Sequence, residues 1–125
     1  MGTGSSKRMV SVIPDGYTLV IINESLMCGK ITRQLGEELA HALEQCPSRL
    51  EVVIDLSQVK VMGDDGFLEL ALARIRYLFR DISLPNPTLI WPKSLQPQQM
   101  LESHWADECF RVIYGMNQIS LGRYH

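Results

Sequence analysis

The chain predicts an α/β domain built on a mixed sheet of four or five strands, with helices packed mainly on one face. Three observations carry this. Short β-branched runs alternate with segments whose apolar residues recur at helical spacing. The junctions between them hold Pro, Gly, Asn and Asp, the residues of turns. The run Leu50-Glu51-Val52-Val53-Ile54-Asp55-Leu56 is apolar at consecutive positions, which suits a central strand covered on both faces.

The elements follow in order. Met9 to Ile13 is a strand stopped by Pro14-Asp15-Gly16, and Tyr17 to Ile22 is a second strand able to pair with it as a hairpin. From Ile31 the period changes: Ile31, Leu35, Leu39, Ala42, Leu43 and Cys46 fall on one helical face, with Arg33, Glu37, Glu44 and Gln45 largely turned away. Pro47-Ser48 ends this helix. After the central strand and a polar, glycine-containing loop, a long apolar segment runs from Phe67 to Phe79 without a breaker. Its deep face is expected to be Leu68, Ala71, Leu72, Ile75 and Phe79. That leaves a second stripe of Phe67, Leu70, Arg74 and Tyr77. Leu84-Pro85-Asn86-Pro87 is a loop, and Thr88 to Trp91 is a strand closed by Pro92. Pro97 suits the first position of a third helix, which groups Met100, Leu101, His104 and Trp105, and Phe110 to Tyr114 forms a last strand. The order β-β-α-β-α-β-α-β is that of a mixed sheet with crossover helices.

With 125 residues, 46% of them hydrophobic and 21% charged, the chain suits one soluble domain with a proper core. Residues 1–8 read as a disordered leader or cloning scar, 9–119 as the domain and 120–125 as a tail. A net charge of −2 without a basic stripe argues against nucleic-acid binding. No apolar run approaches the roughly 20 residues that span a bilayer, and no signal-peptide core opens the chain. Cys28, Cys46 and Cys109 are far apart and odd in number, which fits free thiols in a reducing, cytoplasmic setting rather than a zinc site.

The most informative stretch joins the central strand to the helix after it: Asp55-Leu56-Ser57-Gln58-Val59-Lys60-Val61-Met62-Gly63-Asp64-Asp65-Gly66. It reads as a strand, a tight loop and a helix whose first turn carries two carboxylates. Negative charge is favoured there by the free backbone N–H groups and the helix dipole. The same geometry suits a loop that senses a phosphate or an acidic mimic of one. Ser57, the nearby hydroxyl, is expected to satisfy backbone groups.

Asp55-Leu56-Ser57-Gln58-Val59, followed by a short loop closed by Gly66 and a long apolar helix, resembles the STAS domain, the family of sulphate-transporter and anti-sigma-factor-antagonist domains. The element order resembles that family from about Met9 to Ile119, and the sequence-specific part is the central stretch. In the family the loop carries an aspartate, a serine pair and the closing glycine. Here those positions read Gly63, Asp64, Asp65 and Gly66.

The resemblance implies a STAS-like fold and a non-enzymatic interaction module of the single-domain anti-sigma-factor-antagonist type. Its partner would be an anti-sigma factor or related serine kinase, and no cofactor or metal is implied. A serine of the family's pair is phosphorylated by the partner kinase to release it. Asp64 and Asp65 offer no hydroxyl, and each supplies about half the charge of a phosphate. The loop thus reads as permanently acidic, as the member of a branch without a phosphorylation switch, or simply as a helix cap. The resemblance implies a partner surface at Gly63, Asp64, Asp65 and Gly66 with the start of the following helix. The stripe of Phe67, Leu70, Arg74 and Tyr77 reads first as ordinary packing against another helix, and alternatively as an extension of that surface through Phe67, Leu70 and Arg74, since an Arg within an apolar stripe has hot-spot composition. The alternative is a small STAS regulatory subunit docked on the ATPase of a lipid-trafficking transporter.

Catalytic readings have little to stand on. Adjacent Asp64 and Asp65 cannot flank a substrate, and no further acidic metal ligands stand nearby. Asp55 as the phosphoacceptor of a response-regulator receiver lacks the acidic pair such a site needs after its first strand, since Val10 to Ile22 offers only Asp15. Cys28, His41 and His104 are not brought together by any pattern, and Gly63 and Gly66 lack the Lys-Ser/Thr of a phosphate-binding loop.

Overall fold

A computed structural model describes residues 9–14, 16–47, 50–80, 84–91 and 109–115. The sheet has five strands, β1 (Val10–Pro14), β2 (Thr18–Ile22), β4 (Val52–Asp55), β6 (Thr88–Ile90) and β7 (Arg111–Ile113), in the spatial order β1-β2-β4-β6-β7. β1 and β2 form the expected antiparallel hairpin, with Val12 opposite Val20. Every other neighbour pair is parallel, Val20 aligning with Ile54, Ile54 with Leu89, and Leu89 with Val112. Parallel neighbours need a crossover. The helices α1 (Ile31–Gln45) and α2 (Asp64–Leu78) supply two of them, β2 to β4 and β4 to β6. The third helix expected from Pro97, the leader 1–8 and the tail 120–125 lie outside the described residues.

Alternation along the strands divides the interior. Val20, Ile22, Val52, Ile54 and Leu89 face the helices in one cluster, with Leu35, Leu39 and Leu43 of α1 and Leu70, Ala73 and Tyr77 of α2. Tyr17, Val53, Ile90 and Ile113 form a second cluster on the opposite face. The central strand is thus buried on both sides, which is why its sequence reads as an unbroken apolar run. Among the described residues, both helices belong to the first face.

α1 obeys its sequence pattern, burying Leu35, Leu39, Ala42 and Leu43. Cys46 at its C-cap is extended, as a residue preceding proline tends to be. Burial pushes the Cys46 thiol above its ordinary range, so it stays protonated, and Sγ donates to the Ala42 carbonyl at 3.2 Å.

α2 reverses the expectation. Its buried residues are Gly66, Leu70, Ala73 and Tyr77, whereas Leu68, Leu72, Ile75 and Phe79, expected in the core, are 55%, 44%, 45% and 82% exposed. The cause lies in the sequence. Positions 66, 70, 73, 77 and positions 68, 72, 75, 79 share one spacing, offset by two residues, so they lie on opposite sides of the helix. Both sets are largely apolar, and periodicity cannot rank them. Close approach ranks them instead: Gly66 lies against the Met27 carbonyl and 2.6 Å from Met62 Sδ, measured from where its Cβ would stand. A Leu or Phe there would hold the helix off. α1 and α2 also meet closely where Gly36 faces Glu69, a contact a Cβ would fill.

Emptying a buried position and trimming an exposed one should separate the two faces. Leu70→Ala should cost about 2–5 kcal/mol in denaturant unfolding, and Leu72→Ala less than about 1 kcal/mol. Equal losses would contradict this orientation of α2.

Candidate functional site

Two short strands that the sequence pattern did not reveal build the site. β3 (Leu26–Met27) and β5 (Val61–Met62) pair in parallel as a separate two-stranded sheet, Leu26 beside Val61 and Met27 beside Met62. The backbone extends this ladder: Lys60 and Val61 N–H both donate to the Ser25 carbonyl, at 2.7 and 3.1 Å, and Gly63 N–H donates to the Met27 carbonyl at 3.0 Å. The loop after β4 is thereby tied to the segment between β2 and α1. Runs of two residues carry no readable period, and a parallel partner 35 residues away leaves no local trace.

The loop starts with a turn built by Asp55, whose carboxylate accepts from Ser57 N–H at 2.8 Å. Asp55, not the Ser57 hydroxyl, therefore serves the backbone here, and Ser57 is exposed. Val59 anchors the loop by burying its side chain completely. The chain then passes through Gly63, the extended N-cap of α2, which makes no side-chain capping bond.

The two carboxylates of the first turn have different work. Asp65 turns back over the loop: one oxygen accepts from Gly29 N–H at 2.8 Å and the other from Gly66 N–H at 3.0 Å. Gly29 sits at φ +80°, a backbone region that an L side chain rarely adopts. Asp64 is exposed and has no hydrogen-bond partner among the described residues. Its charge is displayed at the positive end of the helix, where it is favourable.

Gly63 and Asp65 depend on each other. A Cβ on residue 63 would stand 2.6 Å from Asp65 Oδ1 and 2.9 Å from the Cys28 Cβ. The glycine at this position leaves the room into which Asp65 folds.

The remaining candidates on α2 are structural. Leu70 is 1% exposed and belongs to the core, so it is closed to a partner. Phe67 is half-buried and stacks on Trp91, ring centroids 5.8 Å apart and planes 21° apart. Arg74 Nε donates to the Cys109 carbonyl at 2.8 Å, and Arg74 Nη2 donates to Asn86 Oδ1 at 3.0 Å, tying α2 to the segments flanking β6 and β7. Of the two readings of this stripe, packing and docking, the contacts described are those of packing, which hold the helix on the sheet. The sequence signal that could have shown this is the pair of small residues, Gly66 and Ala73, on the same side as Leu70.

Sequence reasoning also missed two surface residues. Leu26 and Val61, cross-strand neighbours on the β3–β5 pair, are 45% and 46% exposed beside the acidic loop. Among the described residues, no group of three or more His, Cys, Asp or Glu side chains is placed to hold a metal, and no helix is long and apolar enough to cross a membrane. Cys28 lies against Gly63, while His41 is exposed on α1 near Val10 and Val12 of β1, and His104 is outside the described residues.

The fold, a mixed five-stranded sheet with two helices on one face, is STAS-like. The chain is similar to the structure of an anti-sigma-factor antagonist (STAS) domain protein from Planctomyces limnophilus, with a TM-score of 0.69 and 16% identity over 91% of this chain and 96% of that one. At that identity the likeness establishes the fold. No family model and no curated protein matches the sequence.

Substituting Gly63→Ala should destabilise the protein by about 1–3 kcal/mol, the range of an overpacked site. In a double-mutant cycle, Asp65→Ala should relieve part of that loss, with a coupling above about 0.5 kcal/mol. Chemical unfolding of the four proteins measures it. Additive effects would mean that residue 63 and Asp65 do not share one space.

Proposed function

We propose that this chain is a non-enzymatic protein-interaction module of the anti-sigma-factor-antagonist kind, acting in the cytoplasm on an anti-sigma factor of the serine-kinase type. It would dock through the loop Gly63–Gly66 and the first turn of α2, and Asp64 and Asp65 would stand where a phosphorylatable serine pair stands in similar proteins, with Asp64 the one open to the partner.

One observation carries this reading: the two aspartates are used unequally. Asp65 holds the loop through Gly29 and Gly66, while Asp64 is left facing solvent at the helix N-terminus. The helix dipole favours both carboxylates, but only Asp64 is left with its oxygens open to a partner. Leu26 and Val61 add an exposed apolar border to the displayed charge, the mixture of apolar core and polar rim that a protein partner meets. The loop contains no hydroxyl at 64 or 65, so its acidity cannot be switched on and off by phosphate. It therefore stands in one charge state, close to that of a phosphorylated loop.

Incubation with ATP and a cognate serine-kinase anti-sigma factor, followed by mass-spectrometric mapping, should place no phosphate between Val59 and Leu70. Asp64→Ser should strengthen binding to that kinase at least about tenfold, near 1.4 kcal/mol, with stability changed by less than about 1 kcal/mol. A loss of affinity at unchanged melting temperature would keep the docking surface but remove the phospho-like reading. Unchanged affinity would remove Asp64 from the interface. Capture of a transporter ATPase from the native host, in place of the kinase, would move the same fold to the other regulatory role.

A further inference from the structure

The outward face of α2 remains to be accounted for. Leu68, Leu72, Ile75 and Phe79 lie in one row, and the last is 82% exposed. Neither α1 nor the described strands bury it.

The row has two properties that together select its occupant. Its spacing of four, three and four residues is that of a coiled-coil seam, and it reads the same in either direction. Placed antiparallel on itself, with a two-fold axis between Leu72 and Ile75, a second α2 sets Phe79 opposite Leu68 and Ile75 opposite Leu72, each pairing occurring twice.

The charges along the helix are complementary in that arrangement. Asp64, Asp65 and Glu69 occupy the first half of the helix, and Arg74 and Arg76 the second. Glu69 and Arg76 each follow a row residue by one position and lie on the side of the row towards α1, where Glu69 faces Gly36 and Arg76 reaches Glu37 and Glu44 at 3.4 and 3.1 Å. In the antiparallel arrangement, Glu69 of one copy borders Arg76 of the other twice along the α1-side edge of the seam. The two helix dipoles oppose each other as well. A parallel arrangement would instead align the two acidic ends.

We propose that this face is occupied by a second copy of the chain, α2 against α2 in antiparallel register, giving a two-fold symmetric dimer. The surface is separate from the exposed β3–β5 border, and the inference does not rest on the choice of partner for the acidic loop.

Sedimentation velocity of the full chain up to about 100 µM, with oligomerisation following mass action, tests it. The unmodified protein should move from monomer to dimer across the series. Leu72→Lys and Phe79→Ser should each remain monomeric while keeping the circular dichroism spectrum and cooperative melting of the parent, since both side chains are exposed. The charge reversal Glu69→Arg should weaken the dimer, and adding Arg76→Glu should restore it. A parent that stays monomeric throughout overturns the proposal. A folded Leu72→Lys or Phe79→Ser protein that dimerises as well as the parent overturns it too. Should Leu72→Lys fail to fold, Phe79→Ser, the most exposed of the four, decides alone.

Discussion

The site depends on a contact between two loops far apart in sequence: the Asp65 carboxylate on Gly29 N–H, backed by the parallel pairing of Leu26–Met27 with Val61–Met62. The five-stranded sheet fixes where β4 ends and α2 begins, but not the path of the chain between them. That path is set by donors from Lys60, Val61 and Gly63 reaching carbonyls of Ser25 and Met27. Gly29, at positive φ, turns its N–H to the carboxylate, and Gly63 leaves the space into which that carboxylate folds. Together these contacts hold the first turn of α2 in its relation to the neighbouring loop.

The same arrangement explains how two adjacent aspartates come to do different things. Charge at a helix N-terminus is stabilised whether or not it makes a hydrogen bond, because the helix dipole acts on both residues. Geometry then separates them. Asp65 lies on the side of Met27 and Gly29 and is consumed by the loop. Asp64 points to solvent and keeps its charge available. A serine pair in that frame could gain and lose charge, whereas an aspartate pair holds it.

Much of the fold was legible because long-range order leaves local marks. The apolar run Val52–Leu56 announced a strand buried on both sides, and the spacing of Leu35, Leu39 and Leu43 announced the buried face of α1. The hairpin was marked by Pro14-Asp15-Gly16. The acidic loop was legible as a motif, from Asp55-Leu56-Ser57 to Gly66. What was not legible depends on contacts without local signature. The β3–β5 pair is too short to show a period. The orientation of α2 was misread because two apolar rows of equal spacing compete, and the deciding residues are the smallest ones. Gly66 and Ala73 contribute little hydrophobicity, yet they determine which side of the helix can come near the sheet. Weighing apolar content alone put Leu68, Leu72, Ile75 and Phe79 inside, where their bulk does not fit.

If the loop is held in one conformation by Asp65, the amide of Gly29 should report it. Amide hydrogen exchange followed by NMR is the most direct measurement, comparing the parent with Asp65→Ala. The Gly29 and Gly63 amides should be protected in the parent. Loss of the carboxylate should leave Gly29 exchanging at least about tenfold faster, as a local opening without global unfolding, while amides in β4 keep their protection. A Gly29 amide that exchanges as freely in the parent as in Asp65→Ala would contradict it, for the carboxylate would then hold nothing in place.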